Sequence, residues 1–257
     1  MRIRGKVVLI TGASEGIGAA CAAAFRRRGA RLSLIARDEA RLRSVGGADA
    51  LVTAGDLTLM ETREAAVART LERFGAIDIL INNAGMGLYT PAWSAPVDDA
   101  RRLFDLNFFA PLAMIQLAAP HMRRQGSGMI VNISSVAGRV VLPWLTLYSA
   151  SKSALGALTD GLRMELKKDG IHTLTVCPGY VRTDFQKHSL GGQPPPKIAR
   201  SKQLAINAAE CAEAIARGVE RGARTVMAPR SGWLIVLARS LFPSLVDSQL
   251  AAILHDV

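Results

Sequence analysis

Short apolar runs alternate with longer amphipathic stretches along most of the chain. Val7-Val8-Leu9-Ile10 and Ile77-Asp78-Ile79-Leu80-Ile81 are apolar almost throughout. A strand with one wet face alternates apolar and polar residues; a continuous run suits a parallel strand covered on both faces. Such runs place strands at residues 6–11, 31–36, 50–53, 77–82, 128–134, 172–178 and 225–228. Helical stretches fall between them, near residues 17–28, 59–74, 97–125, 147–168 and 208–221. The alternation predicts an α/β fold, a doubly wound parallel sheet of about seven strands, with ligand beyond the carboxyl ends of the strands.

The stretch 97–125 carries Pro111 and Pro120, so bends are expected there. Residues 184–206 turn irregular, with Gly191-Gly192 and Pro194-Pro195-Pro196; so long a loop inside a compact domain is often a lid. The organisation read from this is one domain over residues 1–230, with 184–206 as substrate lid, followed by a hydrophobic, helical extension over 231–257.

At 257 residues, with 49% hydrophobic and 21% charged residues, the chain suits one globular domain with a full core. The first apolar run begins at Val7, leaving no room for a secretory signal, so the expected compartment is cytoplasmic. Cys21, Cys177 and Cys211 lie far apart without metal-ligand spacing and read as buried thiols; no metal is expected. The net charge of +11 raises the question of nucleic acid. Its basic groups, such as Arg26-Arg27-Arg28 and Lys167-Lys168, are short and fall toward helix ends, where cations suit the macrodipole. No nucleic-acid-binding motif accompanies them, so no nucleic-acid partner is expected.

Gly12, Gly16 and Gly18 stand in Thr-Gly-Ala-Ser-Glu-Gly-Ile-Gly, directly after the first strand and opening a helix. Glycine lets backbone turn tightly and approach a pyrophosphate, whose charge then meets helix N-terminal amides. At the end of the second strand Ala36 is followed by Arg37, with no acid at the last position. A carboxylate there would suit the ribose of NAD, whereas arginine suits the 2′-phosphate of NADP. Arg37 therefore favours NADP(H); the alternative is a surface arginine paired with Asp38 or Glu39. Asp56 suits either the adenine amino group or a helix N-cap.

Tyr148 and Lys152, four apart in Tyr-Ser-Ala-Ser-Lys, would share one helix face. A free phenol has a pKa of about 10, too high for ready proton exchange at neutral pH. A nearby ammonium, with a positive nicotinamide ring, is expected to lower it, so that Tyr148 exchanges a proton with a carbonyl oxygen. Ser135, thirteen residues upstream, would bond the same oxygen. Ser134 is the neighbouring rival for that role.

Over roughly residues 5–230 the sequence resembles the short-chain dehydrogenase/reductase superfamily, a Rossmann-fold group. The resemblance rests on residues 11–18, Asp56-Leu57, Asn82-Asn83-Ala84-Gly85, Asn107, Ile133-Ser134-Ser135, residues 148–152 and Pro178-Gly179. It implies Tyr148 as acid/base, Ser135 as the substrate-oxygen partner, and Lys152 holding the nicotinamide ribose. It implies that Asn107 anchors a water in the proton relay at a break in its helix. For the cofactor it implies Gly12, Ser14, Glu15, Gly16, Ile17 and Gly18 in the turn, Asp56 and Leu57 near the base, and Asn83, Ala84 and Gly85 alongside. Pro178, Gly179, Val181 and Thr183 would meet its carboxamide end. Members are usually dimers or tetramers, so a homodimer or homotetramer is expected.

Three departures stand out. Glu15 occupies a turn position where NADP-preferring relatives often carry a base, so Arg37 must carry more of the phosphate recognition. Residues 37–49 leave room for only a clipped second helix. The C-terminus replaces the usual final glycine-rich turn with Trp233, Leu234, Ile235, Val236, Leu237, Leu241, Phe242, Leu245, Val246, Leu250 and Ile253. Arg239 and Pro243 interrupt that run, which argues against a transmembrane span. Capping of the substrate cleft and a subunit interface are two readings; peripheral membrane contact, with Arg230 and Arg239 near headgroups, is the third.

Met86, Leu88, Tyr89, Val140, Leu142, Trp144, Tyr180 and Phe185 lie near these motifs and argue for an apolar small-molecule substrate. The lid carries Lys187, His188, Lys197 and Arg200, either solvated charges or receivers of an acidic substrate tail. The reading is an NADP(H)-dependent oxidoreductase interconverting a ketone or aldehyde and an alcohol on a hydrophobic substrate. The enzyme alternative is a 3-oxoacyl-thioester reductase. A non-catalytic dinucleotide sensor, which has no need of a proton relay, and a membrane-peripheral scaffold are the other classes.

Overall fold

In the computed structural model, which describes residues 1–192 and 205–252, the apolar runs form a seven-stranded sheet. Its strands are β1 (Val7–Thr11), β2 (Arg31–Ala36), β3 (Leu51–Ala54), β4 (Ile79–Asn82), β6 (Gly128–Ile133), β7 (Ile171–Pro178) and β11 (Thr225–Ala228). All neighbours pair in parallel, in the order β11-β7-β6-β4-β1-β2-β3. Two short pairings outside the sheet use β5 (Leu88–Tyr89), β8 (Val181–Arg182), β9 (Leu190–Gly191) and β10 (Ile206–Asn207), with β5 joined to β9 and β8 to β10.

The chain runs outward from β1 to β3, then returns to β4 and runs outward the other way. The crevice at the carboxyl ends of β1 and β4 is therefore the topological switch point, where open α/β sheets bind ligands. Thr11 closes it from below: its hydroxyl accepts from the amides of Asn83 and Ala84, each at 3.0 Å.

Every residue of β1, β4 and β6 is buried, as continuous apolar runs require. Val8 and Ile10 face a cluster with Cys21 and Phe25 of α1 (Gly16–Arg27), and with Ile215 and Val219 of the helix before β11. Leu9 faces the other way, with Val67 of α3 (Met60–Phe74) and Met114 and Met122 of α5 (Ala110–Gln125). Helices α2 (Glu39–Gly46), α4 (Val97–Phe104), α6 (Thr146–Glu165) and α7 (Ala208–Arg221) complete the two layers. Helix α2 is the clipped second helix expected from the short 37–49 segment; Asp38 caps it by accepting from the Arg41 amide at 3.0 Å.

The 97–125 stretch is interrupted at Asn107, where a break was expected. Its irregularity is a π-turn over Asp105–Phe109, just before Pro111, in which the Ala110 amide reaches back to the Asp105 carbonyl. Pro111 has no N–H to return to residue 107, so the wider turn comes one step ahead of the ring. Pro120 sits inside α5.

Beyond β11, α8 (Gly232–Leu241) and α9 (Pro243–Ala251) form a hairpin bent by 117°. Neither helix has a buried residue. Of the lid residues, 193–204 lie outside the described residues, and with them Lys197 and Arg200; so does Ile253 of the tail.

Candidate active site

The glycine turn is shaped by what a side chain would strike. Gly12 (φ 63°) and Gly16 (φ 56°) adopt the left-handed conformation that favours glycine. A Cβ on Gly12 would lie 2.8 Å from the Ala84 Cα, and one on Gly18 would run into the Gly12 carbonyl. The turn is thus packed directly against the end of β4, where Asn83 Nδ2 donates to the Thr11 and Gly12 carbonyls at 3.0 Å each. Glu15 is the N-cap of α1 without a side-chain cap bond, and the first turn of α1 has no acidic residue. Ser14 is half-buried in the turn, whereas Ile17 packs its side chain on the core and presents backbone. Thr183 closes the far side: its Cγ2 would be 3.2 Å from a Cβ on Gly16.

At the adenosine end Arg37 is exposed, and its alternative pairings are taken. Asp38 pairs with Arg41 and Glu39 with Arg43, so Arg37 forms no ion pair among the described residues. Its charge acts on Asp56, whose carboxyl is held below its usual value first by hydrogen bonding from Thr58 and then by Arg37. The N-cap reading of Asp56 fails: the N-cap of α3 is Leu59, and Asp56 Oδ1 accepts from the Thr58 amide and hydroxyl at 2.9 and 2.8 Å. Leu57 beside it is buried in the core.

Glu15 is not a bare carboxylate. Its Oε2 holds Arg41 Nη1 at 2.9 Å and its Oε1 holds His188 Nε2 at 2.8 Å. The cation absent from the turn in sequence is therefore delivered from α2, by a residue the sequence reading passed over. No local signal marks Arg41, because the contact spans 26 positions.

The catalytic candidates converge where α6 crosses the end of β6. Tyr148 and Lys152 lie one turn apart, with Lys152 Nζ 5.8 Å from the Tyr148 ring centroid. Lys152 is buried and donates to the Ile133 carbonyl at 2.9 Å. A Cβ on Gly85 would come 3.2 Å from Lys152 Nζ and 3.0 Å from Asn107 Oδ1. The missing side chain leaves an opening onto both groups, which fits a ribose laid against Lys152; the glycine turn fits a pyrophosphate in the same way. The chain's residues thus suit a nicotinamide dinucleotide from end to end.

Asn107 sits in the π-turn, fully buried. Its Oδ1 accepts from the Met86 amide at 2.9 Å; its Nδ2 donates to the Met86 carbonyl at 2.9 Å and to Ser151 Oγ at 3.1 Å. One lone pair of Oδ1 remains for a water. Ser135 Oγ accepts from the Ala137 amide at 3.1 Å and donates to the Pro178 carbonyl at 3.4 Å, which ties the serine to the end of β7. Gly179 continues that end by donating to the Ala228 carbonyl at 2.8 Å, and Val181 in β8 packs on the core. Ser134, the rival serine, is buried and donates to the Lys152 carbonyl at 2.8 Å, so it faces the helix and not the cleft.

The lowering expected of Lys152 together with a nicotinamide ring starts from a raised value in the protein alone. Within the protein the Tyr148 hydroxyl is pushed up to about 12 by burial, with hydrogen bonding from Ser135 pulling it down and Tyr89 adding a smaller rise. Burial likewise drives the Lys152 ammonium down to about 8. Desolvation outweighs the cation because Lys152 spends its bond on Ile133 and not on the phenol.

Apolar side chains frame the cleft. Phe185 meets Tyr148 edge-on at 5.9 Å between centroids. Leu88 and Val140 are buried behind the wall, and Tyr89 nearly so. Trp144, one element before α6, holds φ 64°, which is rare for a bulky residue; its carbonyl accepts from the Thr90 amide at 3.1 Å. The tail starts at this cleft: a Cβ on Gly232 would lie 3.3 Å from Val136, the neighbour of Ser135.

Comparison with known proteins agrees with this geometry. Residues 6–193 match the family described as short chain dehydrogenase. The chain is 35% identical to dehydrogenase/reductase SDR family member 7B of Danio rerio over 95% of its length and 84% of that protein. It is also 35% identical to 11-beta-hydroxysteroid dehydrogenase-like 2 of Arabidopsis thaliana, over 95% and 80%. Among solved structures, a short-chain dehydrogenase/reductase from Burkholderia phymatum in complex with NAD superposes with a TM-score of 0.86 at 26% identity, covering 95% and 96% of the two chains. One from Burkholderia cenocepacia J2315 in complex with NADP gives 0.82 at 28%, covering 97% and 99%.

Proposed function

Because the chain belongs to the short-chain dehydrogenase/reductase superfamily, an NAD(P)-dependent oxidoreductase group, we propose that it reduces a hydrophobic ketone or aldehyde to an alcohol with NADPH. The bound nicotinamide supplies the hydride. The rest belongs to the protein's own side chains. Ser135 and the Tyr148 hydroxyl converge on one point, where a carbonyl oxygen accepts from both as negative charge develops on it. Tyr148 then hands over its proton. Lys152 and Asn107 stand together beside Gly85, next to that phenol.

The observation that carries this reading is Tyr148 bonded by Ser135 and set 5.8 Å from Lys152 Nζ, beside a glycine-lined crevice at the switch point. Preference for NADPH is supported by Arg37, which forms no ion pair among the described residues, and by Arg41 at the turn. An apolar substrate is supported by Phe185 and the tail that begins beside Val136.

The tail supports a further part of the same reading, contact with a lipid surface. Trp233, Leu234, Leu237, Leu241, Phe242 and Leu245 are exposed on the hairpin, and the cleft-capping expectation would have buried them. Arg230 at its root is exposed, and the whole chain carries +11. An apolar hairpin on a cationic protein suits an anionic membrane interface.

Titration of protein fluorescence with NADPH and NADH, followed by a carbonyl panel from small aldehydes to apolar cyclic ketones, tests the proposal. NADPH binding with turnover rising toward the apolar ketones is the expected result. If neither cofactor binds, the assignment of the crevice is wrong.

A further inference from the structure

Three consecutive residues at the end of β6 each bond the helix that carries Tyr148 and Lys152. Asn132 Nδ2 donates to Thr159 Oγ1 at 2.8 Å, the Ile133 carbonyl accepts from Lys152 Nζ at 2.9 Å, and Ser134 Oγ donates to the Lys152 carbonyl at 2.8 Å. Lys152 is thus gripped at both ends, its ammonium by one residue and its peptide oxygen by the next.

The seam extends into the sheet. Asn82 Nδ2 donates to Asn132 Oδ1 at 2.8 Å across a register pair of β4 and β6, and Thr173 Oγ1 of β7 donates to the Thr159 carbonyl at 3.1 Å. Asn82, Asn132, Ser134, Lys152, Thr159 and Thr173 are all buried. Close approach is part of the arrangement: a Cβ on Gly138 would lie 2.8 Å from Ser134 Oγ and 2.9 Å from the Lys152 carbonyl carbon.

One hydrogen bond between a strand and a helix leaves the helix free to roll or slide. Lys152 and Thr159 lie seven residues apart, two turns and about 10 Å along one face. Two anchors at that separation fix roll and slide together. Buried polar groups are held to these partners because losing one leaves another unsatisfied out of reach of water.

Resting on the function proposed above, we propose that Asn132, Ser134 and Thr159 are positioning residues: they lock α6 in the register that sets the Lys152 ammonium against the Tyr148 ring. They touch no substrate. They act by holding the pair in place as the phenol loses its proton.

The test follows tyrosinate formation by ultraviolet difference absorbance in the intact protein saturated with NADP+. The chain has three tyrosines, so the step missing from Tyr148→Phe identifies Tyr148. Ser134→Ala, which removes only a hydroxyl, and Thr159→Val are each expected to move that step by about half a pH unit or more, since the Lys152 side chain no longer holds its place against the phenol ring. Ser134→Thr, which keeps the hydroxyl, should return the step to its wild-type position. A step that stays in place in both variants while the Tm falls would show a purely structural seam and overturn the proposal. Wild-type protein that fails to bind NADP+ overturns the function reading instead, and this inference with it.

Discussion

Glu15 and His188 meet across the front of the glycine turn, Oε1 to Nε2 at 2.8 Å. The other carboxylate oxygen holds Arg41, so one side chain ties the lid to the adenosine-side helix α2. The tie is made at the glycine turn that borders the crevice. His188→Ala should therefore quicken cofactor release. Both partners are partly exposed, and such pairs contribute about 0.2–1 kcal/mol, which limits the gain in dissociation rate to about five-fold. Stopped-flow displacement of bound NADPH measures it; an unchanged rate would mean that the lid is held elsewhere.

Arg37→Ala should weaken NADPH by about ten- to a hundred-fold and leave NADH nearly unchanged, as loss of a charge-assisted bond of about 1.5–3 kcal/mol implies. Equal losses for the two cofactors would refute the 2′-phosphate role. Arg41→Ala should show the same selectivity to a smaller degree, because Glu15 and Asp38 already share its charge.

Tyr148→Phe removes the proton donor but keeps the ring that meets Phe185. Turnover should fall on the order of a hundred- to ten-thousand-fold, with NADPH affinity within about two-fold of wild type. A variant that keeps most of its activity would place the acid/base elsewhere.

Lys152 is held at some cost to the fold. Its pKa in the folded protein lies near 8, below the free value of 10.5, so the unfolded chain binds its proton more tightly. Stability from this group therefore rises as pH climbs from about 8 toward 10.5, and below 8 the full penalty applies. Lys152→Met should abolish turnover yet match or exceed wild-type Tm at pH 7, with its advantage shrinking through the alkaline window. Thermal melts at pH 7, 8.5 and 10 (about a unit and a half apart) would show it; a constant difference would indicate that desolvation is not the cause.

Removing residues 231–252 should abolish co-sedimentation with vesicles containing phosphatidylserine while leaving NADPH affinity intact. Retained sedimentation would assign the lipid contact to another surface. Loss of a dimer, read by light scattering, would make the hairpin an interface between copies.

The seven strands were legible because a parallel strand buried on both faces writes itself as an unbroken apolar run, as Val7-Val8-Leu9-Ile10 does. The π-turn was less so. Pro111 announces a disturbance, but its placement one step earlier depends on which carbonyl loses its donor. Ser134 and Ser135 are adjacent and chemically identical; only the direction of the chain leaving β6 sends one to the helix and the other to the cleft.

By itself the sequence determined what is local: that glycine alone fits the turn after β1, that Tyr148 and Lys152 share a helix face, and that the chain builds a doubly wound sheet. These follow from φ/ψ sterics and from periodicities of two and 3.6, which act over a few residues. The tertiary structure decided Arg41 and His188 on Glu15, the grip of β6 on Lys152, the raised Tyr148 hydroxyl and the bare face of the hairpin. Each depends on partners distant in the chain or on the solvent removed by all of them together. Burial and charge pairing are sums over the folded neighbourhood, and no window along the chain contains that neighbourhood.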